Sequence, residues 1–452
     1  NSWGVKSYED FTFRQKKVLL YNAMLKNAYL LDMMAATTVD PNVEQLGGDC
    51  MRRETSATLF DSVPLFSANS TTQGLRFPQN NPSFKLWEEY LEGDSIRIAI
   101  GSKNPMMVHF LYEFVRTNNI QDEDFTVMFQ RQGKTRTGTE AFVFGNKILN
   151  SDVSYGDLSD DTLTITCKNG YLYRMDDVLV PPSNMAQVLR ETKNTKLFSR
   201  MLDRFAYLEY DASLTSQFNA LYHENKPEDN ENVYLLKYSL SNAKDYYTPG
   251  ENGTKDKATK KSFGTDDYLR YDPGDAQYNG GNGLQKDMAA MLVPNDEMVY
   301  RFFAPERFQN PDIIAANYVT DEDGKKVQSR PYGVGSSIVE EFSNPDDVLK
   351  LDESLKTGDD WYAEAMAPCL DSIGLDVLKA FLDNLMHISF VQTIPSNFDK
   401  VKNDARDEMG LQVSDVEDCI IANNGIIYIL NNVFGPALYQ SVMAPPYVLT
   451  NM

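Results

Sequence analysis

The sequence predicts an α+β fold built from two related domains, and three observations lead to that prediction. The first is a repeat, because residues 169–181 align without gaps to residues 424–436 with five of the thirteen positions identical. The second is that each copy has the composition of a β-strand, while the residues after the first copy are apolar at helical spacing. The third is size, since 452 residues with 42% apolar side chains exceed one ordinary domain and can bury a sizeable core.

Each copy of the repeat begins with Asn-Gly, a pair that tolerates positive φ and favours a tight turn into a strand. Six or seven β-favouring residues follow, and a proline then ends the hydrogen-bonded ladder. After the first copy the chain reaches Asn184, a predicted N-cap with Gln187 three residues later. A new helix therefore opens near residue 182, which predicts domain 1 over residues 1–182 and domain 2 over residues 183–452.

Hydrophobic periodicity predicts further elements on both sides of this border. Strands are expected at residues 94–100 and 288–293. Helices are expected at residues 11–36, 106–116, 296–303, 376–386 and 398–408.

Domain 2 carries a long polar insertion, around residues 223–285, with almost no aliphatic side chains from residue 246 to residue 283. Loops of this length are uncommon and are usually functional or disordered. Flat aromatic rings flanked by Asn, Asp and Gly suit the faces of sugars, so the stretch is a candidate glycan site; a plain linker is the alternative. Its aromatic residues are Tyr246, Tyr247, Phe263, Tyr268, Tyr271 and Tyr278.

The charge of the chain limits its partners, whereas its cysteine content does not fix the compartment. The 43 basic and 65 acidic residues give a formal charge of −22, which disfavours nucleic acid and anionic lipid because both require clustered Lys and Arg. Four scattered cysteines indicate free, mostly buried thiols rather than a disulfide framework or a metal site. No apolar run is long enough to span a bilayer. The chain starts at Asn1 rather than Met, which fits the earlier removal of an export signal.

No pattern in the sequence has the residues and spacing of a catalytic or metal centre. The three histidines lack partners at metal-ligand spacing, and the Gly-Lys-Thr at residues 133–135 lacks the first glycine of a phosphate-binding loop. Residues 321–324 begin like a calcium loop but lack the bidentate Glu, so an Asp-Gly hairpin is expected there. We therefore expect a protein without enzymatic activity, cofactor or bound metal.

The repeat resembles the C-terminal strand signature of the fasciclin family, N-G-x-[IV]-[YH]-x-[IV]-[DN]-x-[VL]-[LF]-x-P, in both copies. Residues 292–298, Leu-Val-Pro-Asn-Asp-Glu-Met, are similar to the family's N-terminal signature, with Leu in place of Phe. Residues 384–387, Asn-Leu-Met-His, approximate its central motif, and His109 is a weaker counterpart in the first copy. The resemblance extends over residues 288–446 and, less closely, 95–205; domain 1 has no recognisable N-terminal signature.

The resemblance implies two tandem fasciclin-like domains, each a β-sandwich or wedge flanked by helices, with equivalent positions for the two repeated strands. It also implies a non-enzymatic adhesion or matrix-binding protein, similar to fasciclin-like surface lipoproteins of Gram-negative anaerobes. Such a protein is exported, held at the outer membrane only through an N-terminal lipid anchor, and expected to be a monomer. Its partner is a cell-surface or matrix protein or a glycan.

Five residues are the candidate partner contacts: Tyr246, Tyr247, Tyr268, Tyr271 and His387. His387 also has a structural interpretation, in which a histidine at a helix end bonds to the backbone and packs beneath the sandwich, and this interpretation is favoured.

Overall fold

A computed structural model of the chain describes part of the sequence, and every structural statement below concerns that part. The described residues are 6–37, 47–63, 65–66, 96–99, 101, 104–136, 138–149, 164–224, 226–238, 248–249, 255–256, 269–274, 283–303, 318–320, 326–328, 340–341 and 375–437.

Helices and strands are interleaved along the described chain, which confirms the α+β class. The helices are α1 (Phe13–Asn22), α2 (Leu31–Met34), α3 (Tyr112–Thr117), α4 (Asp122–Met128), α5 (Met185–Glu191), α6 (Lys196–Asp203), α7 (Ala212–Tyr222), α8 (Gly283–Lys286), α9 (Asp296–Phe303) and α10 (Leu375–Leu385). Short 3₁₀ segments include Gln130–Gln132, Val391–Thr393, Pro395–Lys400 and Val413–Asp415.

The strands form several small sheets rather than one large one. They are β1 (Arg52–Glu54), β2 (Leu65–Phe66), β3 (Ile96–Ala99), β4 (Met106–Phe110), β5 (Phe142–Val143), β6 (Asn146–Lys147), β7 (Thr164–Cys167), β8 (Gly170–Tyr173), β9 (Tyr207–Tyr210), β10 (Val233–Lys237), β11 (Thr248–Pro249), β12 (Lys255–Asp256), β13 (Ala289–Pro294), β14 (Tyr318–Thr320), β15 (Lys326–Gln328), β16 (Glu340–Glu341), β17 (Met386–His387), β18 (Val416–Ile421) and β19 (Gly425–Leu430).

Three four-stranded sheets contain most of the buried strands. Their strand orders are β1-β4-β5-β6, β2-β3-β10-β9 and β17-β13-β19-β18. In the third sheet β13 and β19 are parallel neighbours, and every residue of both is buried. A strand covered on both faces is expected to be apolar along its whole length, as Ala-Ala-Met-Leu-Val and Ile-Ile-Tyr-Ile-Leu are.

The predicted border at residue 182 falls between elements that share a sheet and a core. β3 pairs in parallel with β10, so strands from both predicted domains lie in the second sheet. One continuous apolar core joins residues as distant as Met51, Phe110 and Leu430, and the rings of Phe110 and Phe390 contact each other edge to face at 5.7 Å. The two sequence units therefore bury their apolar surface together.

The two copies of the repeat both form the second strand of a hairpin, but the expectation of equivalent positions was wrong. β8 pairs with β7 alone among the described strands, and its residues are exposed or half-buried. β19 is a central, fully buried strand. Beyond β8 the first copy bends away, and Met175 forms an isolated antiparallel bridge with Ile148 beside the first sheet.

The other helices and strands that the sequence predicts agree with the structure only in part. β13, α9 and α10 lie where the periodicity predicts them, and α5 follows its predicted cap, with Asn184 Oδ1 accepting the Gln187 amide at 2.8 Å. Residues 106–116 do not form one helix, because residues 106–110 form β4 between β1 and β5. Within residues 11–36 only α1 and α2 are helical, and residues 398–408 form the end of a 3₁₀ segment and turns.

Candidate functional site

The candidate site is formed by the described residues that follow the tyrosine-rich stretch in sequence and by the elements that they contact. We call residues 269–274 the anchor segment. Leu269 is 3% exposed and belongs to the main core. The Arg270 amide donates to Asp383 Oδ1 at 2.6 Å, and Arg270 Nη1 donates to the Met386 carbonyl at 3.1 Å. The anchor segment is thus bonded to the end of α10 and to the edge strand β17.

Tyr271 continues this attachment along the third sheet. Its hydroxyl donates to the Ala290 carbonyl at 2.9 Å, and its ring packs against the core. Ala290 is the register partner of His387 across the β13–β17 pair. The fold therefore brings together Tyr271 and His387, two of the five residues that the sequence suggested.

The far side of the anchor segment is held by the second Asn-Gly turn. The Pro273 carbonyl accepts the Ala186 amide at 3.2 Å and Asn424 Nδ2 at 3.0 Å. Asn424 Oδ1 in turn accepts the Met185 amide at 2.9 Å. One buried asparagine therefore joins the anchor segment, the start of α5 and the start of β19.

Tyr238, directly after β10, is the last described residue before the tyrosine-rich stretch. Tyr238 is 2% exposed, and its hydroxyl accepts Arg190 Nη2 at 2.7 Å. Arg190 also pairs with Asp203 at 2.9 Å, inside the core. A Cβ on Gly274 would lie 3.1 Å from the Tyr238 ring, so the last residue of the anchor segment packs on the residue where the stretch departs. The base of the stretch is closed.

Burial controls the ionisation of the groups at this base. Desolvation raises the pKa of the Tyr238 hydroxyl far above its ordinary value, against the opposing effect of Arg190, so the hydroxyl stays neutral. Desolvation, followed by the charge of Arg270, lowers the pKa of His387 to about 4. His387 Nε2 is buried without a hydrogen-bond partner in the described chain. The ring is therefore neutral near pH 7, and Nε2 lacks the backbone bond that the structural interpretation predicted.

Tyr246, Tyr247 and Tyr268 lie outside the described residues.

Asn295 and Asp296, which carry the resemblance to the N-terminal signature, act structurally. Asn295 Oδ1 accepts the Met298 amide at 2.9 Å at the start of α9. Asp296 caps the start of α6 by accepting the Leu197 amide at 2.8 Å.

Asn384 also has a structural role. It donates to the Phe434 carbonyl and accepts the Asp404 amide, each at 2.9 Å. The side chains of Asn295, Asp296 and Asn384, which carry the resemblance to the fasciclin motifs, therefore connect helices and loops of the fold.

Sequence reasoning missed Arg190, Asp203 and Tyr238. Arg190 is 13 residues from Asp203 and 48 from Tyr238, and no motif links the three. The one available signal was the position of Arg190 and Asp203 next to apolar residues that recur at helical spacing, where an unpaired charge would be costly.

The remaining sequence candidates have plain structural positions. Lys134 forms an ion pair with Asp176 at the surface, after Gly133 has ended a 3₁₀ turn at φ 63°. β14 and β15 pair antiparallel around residues 321–325, as the predicted hairpin requires. His109 is fully buried in β4, and burial lowers its pKa to about 3.

Within the described ranges no group of three or more His, Cys, Asp or Glu side chains could hold a metal ion. None of the described helices has the length and apolar character needed to cross a membrane. Cys50 and Cys419 are buried free thiols, as expected, whereas Cys167 is exposed on β7.

Comparison of the chain with protein-family models, curated proteins and solved structures returned no match.

Proposed function

We propose that this chain is a non-enzymatic ligand-binding protein of fasciclin type, and that its partner binds the tyrosine-rich stretch at residues 239–268. The observation that supports this most is the closed base of the stretch. Tyr238 at one end and residues 269–274 at the other are fixed to the core by buried hydrogen bonds. Recognition usually resides in loops presented by a rigid scaffold, because the scaffold limits the entropy lost on binding.

The composition of the stretch favours a partner with polar, uncharged or basic surfaces. Tyr246, Tyr247 and Tyr268 lie among Asn, Asp, Gly and Lys, and tyrosine supplies a large contact area together with a hydroxyl that can hydrogen-bond. The net charge of −22 opposes polyanions such as nucleic acid. A cell-surface or matrix protein is the first candidate partner, and a neutral surface glycan is the second.

Tyr271 belongs to the base in this proposal rather than to the partner surface. Its ring packs on the core and its hydroxyl bonds to Ala290, so replacing it by Ala would remove buried contacts. Replacing all four candidate tyrosines together would therefore mix loss of binding with loss of stability. His387, beside Tyr271, remains a candidate contact at the edge of the sheet.

The proposal includes location and assembly. The fasciclin resemblance supports an exported protein at the cell surface, anchored to the outer membrane through a lipid that lies N-terminal to this sequence. The acidic surface supports a monomer, since like-charged copies repel.

Binding to a glycan array and to a panel of matrix proteins tests the proposal. The binding variant replaces Tyr246, Tyr247 and Tyr268 by Ala. The matched control replaces three exposed tyrosines elsewhere, Tyr8, Tyr21 and Tyr171, by Ala. We expect a specific signal for the native protein and the control, and at least about a tenfold loss for the binding variant, since aromatic anchors dominate such interfaces.

Equal binding by the native protein and the binding variant would place the partner elsewhere. No signal on either panel would count against a binding protein of this class.

A further inference from the structure

Of the two Asn-Gly pairs that begin the repeat copies, the fold protects one and exposes the other, at the corresponding hairpin position. Gly425 is the first residue of β19 and Asn424 directly precedes it, and Asn424 is 8% exposed. Asn169 lies at the turn between β7 and β8, and its side chain is exposed. The two pairs have the same chemistry, so any difference in reactivity must come from the structure.

The buried pair is immobilised on all sides. The Asn424 side-chain amide uses both its oxygen and its nitrogen, accepting from Met185 and donating to Pro273. A Cβ on Gly425 would lie 2.8 Å from the Ala289 carbonyl and still closer to Met185 Sδ. The backbone therefore has no room to bend toward the Asn424 side chain.

Within the described chain, the exposed pair, Asn169 and Gly170, lacks both the side-chain hydrogen bonds and the close packing that restrain Asn424 and Gly425. No hydrogen bond joins the Asn169 side chain to another residue of the described chain. The nearest atom to a Cβ placed on Gly170 is Ala28 Cβ at 3.9 Å, which is ordinary contact. Water reaches the turn, and glycine gives the chain after Asn169 unusual conformational freedom.

We propose that Asn169 is a site of self-catalysed deamidation, with Gly170 as the internal nucleophile. The Gly170 amide nitrogen, having lost its proton to hydroxide, attacks Cγ of Asn169 and forms a new N–C bond. The Cγ–Nδ2 bond breaks, and nitrogen leaves as ammonia after taking a proton from water. Water then adds to either carbonyl of the five-membered imide and opens it to aspartate or isoaspartate. No electron transfer occurs, and water is the only co-reactant.

The modification would change the hairpin in two ways. Each product adds a negative charge beside Lys168 at the turn. The isoaspartate product also lengthens the main chain by one methylene group, which disrupts the Cys167–Gly170 register pair that closes the hairpin. At the other end of β8, the Tyr173 hydroxyl donates to the Tyr29 carbonyl at 2.9 Å, which attaches the hairpin to the body.

Peptide mapping by mass spectrometry tests the proposal on the full chain. The folded protein is incubated at mildly alkaline pH in ¹⁸O-labelled water and digested at acidic pH in ordinary water, so that only deamidation during incubation carries the label. We expect labelled aspartate and isoaspartate at Asn169 to exceed those at Asn424 by at least about tenfold, because Asn424 reacts only after local opening.

Two controls make the assignment specific. Gly170→Ala should suppress the reaction at Asn169, because a Cβ hinders the attacking nitrogen, while the folded state tolerates it. Unfolding the native protein in urea should bring Asn424 to the rate of Asn169. An Asn169 that stays an amide in the folded chain, or equal labelling of Asn169 and Asn424 before unfolding, would overturn the proposal.

Discussion

In the β7–β8 hairpin and in the β18–β19 hairpin, an Asn-Gly pair leads into the second strand. The second strand of the first hairpin is exposed, however, and that of the second is buried. β8 lies at the surface, with Leu172 50% exposed, whereas its sequence counterpart in β19, Ile427, is fully buried. The second hairpin has the parallel strand β13 beside it, and among the described strands the first has no such neighbour. The repeat therefore specifies a local hairpin, and the neighbouring elements decide whether the hairpin becomes core.

The turns differ for the same reason. None of Asn169, Gly170, Asn424 and Gly425 has positive φ, so both tight turns form without the left-handed backbone that an Asn-Gly pair tolerates. Gly425 is required by the close approach of β13 and Met185, while Gly170 has open space around it. One dipeptide thus meets a packing requirement in one hairpin and none in the other.

The two hairpins should differ most in stability when the equivalent apolar residues Ile427 and Leu172 are each replaced by Ala. Ile427→Ala should lower the free energy of unfolding by about 3–4 kcal/mol, because it leaves a cavity in the core. Leu172→Ala should change it by less than about 0.5 kcal/mol. Urea unfolding of both variants checks this, and similar losses would mean that β8 is as buried as β19.

The second-largest difference in stability should come from replacing the equivalent glycines, Gly425 and Gly170, by Ala. Gly425→Ala should cost about 2 kcal/mol, since the new methyl group overlaps Met185 and the Ala289 carbonyl. Gly170→Ala should be tolerated with a change below about 0.5 kcal/mol. Thermal unfolding of the two variants beside the native chain measures the difference, and a neutral Gly425→Ala would contradict the close packing.

Replacing the equivalent asparagines, Asn424 and Asn169, by Ala should give a smaller difference in stability than replacing the glycines. Asn424→Ala leaves the Met185 amide without its partner and removes one of the two donors to the Pro273 carbonyl, so it should cost about 1–2 kcal/mol. Asn169→Ala should be nearly neutral. Because Asn424 also holds the anchor segment, its loss should increase proteolytic cleavage between residues 239 and 268 under native conditions. Unchanged cleavage would show that the anchor segment does not depend on this residue.

The smallest expected effect concerns acid sensitivity. The folded-state pKa of His387 is lowered from 6.5 to about 4, so the unfolded chain binds the extra proton first as the pH falls. Stability is therefore complete above about pH 6.5 and declines toward about pH 4, with His387 contributing about 1–2 kcal/mol of loss by about pH 5. His387→Gln should make the loss of stability between these pH values smaller.

His223→Gln, at a partly exposed site, is the control for the acid experiment. Stability measured by urea unfolding at each pH gives the slopes. Equal slopes for the native chain and His387→Gln would mean that His387 is not held neutral by the fold.

Much of the region around the third sheet could be predicted from the sequence. β13, α9 and α10 are apolar segments with strong periodicity and clear ends, such as Pro294 before α9. Residues 106–110 could not be assigned in the same way, because a short apolar run has no decisive period, and pairing with β1 and β5 makes it a strand.

The candidate site was predictable only in part. Tyr271 and His387 were found from composition and from a motif, but their shared neighbour Ala290 is known only from strand register. The Arg190–Asp203–Tyr238 group joins three elements that are separate in sequence. Such long-range partners leave no local pattern.

We propose that a partner binds residues 239–268, the stretch between Tyr238 and the anchor segment. Amide hydrogen exchange, with and without the partner found on the arrays, tests it most directly. We expect binding to slow exchange in peptides from residues 239–268 and to leave exchange in β7–β8 unchanged. Slower exchange confined to β7–β8, with none in residues 239–268, would contradict it.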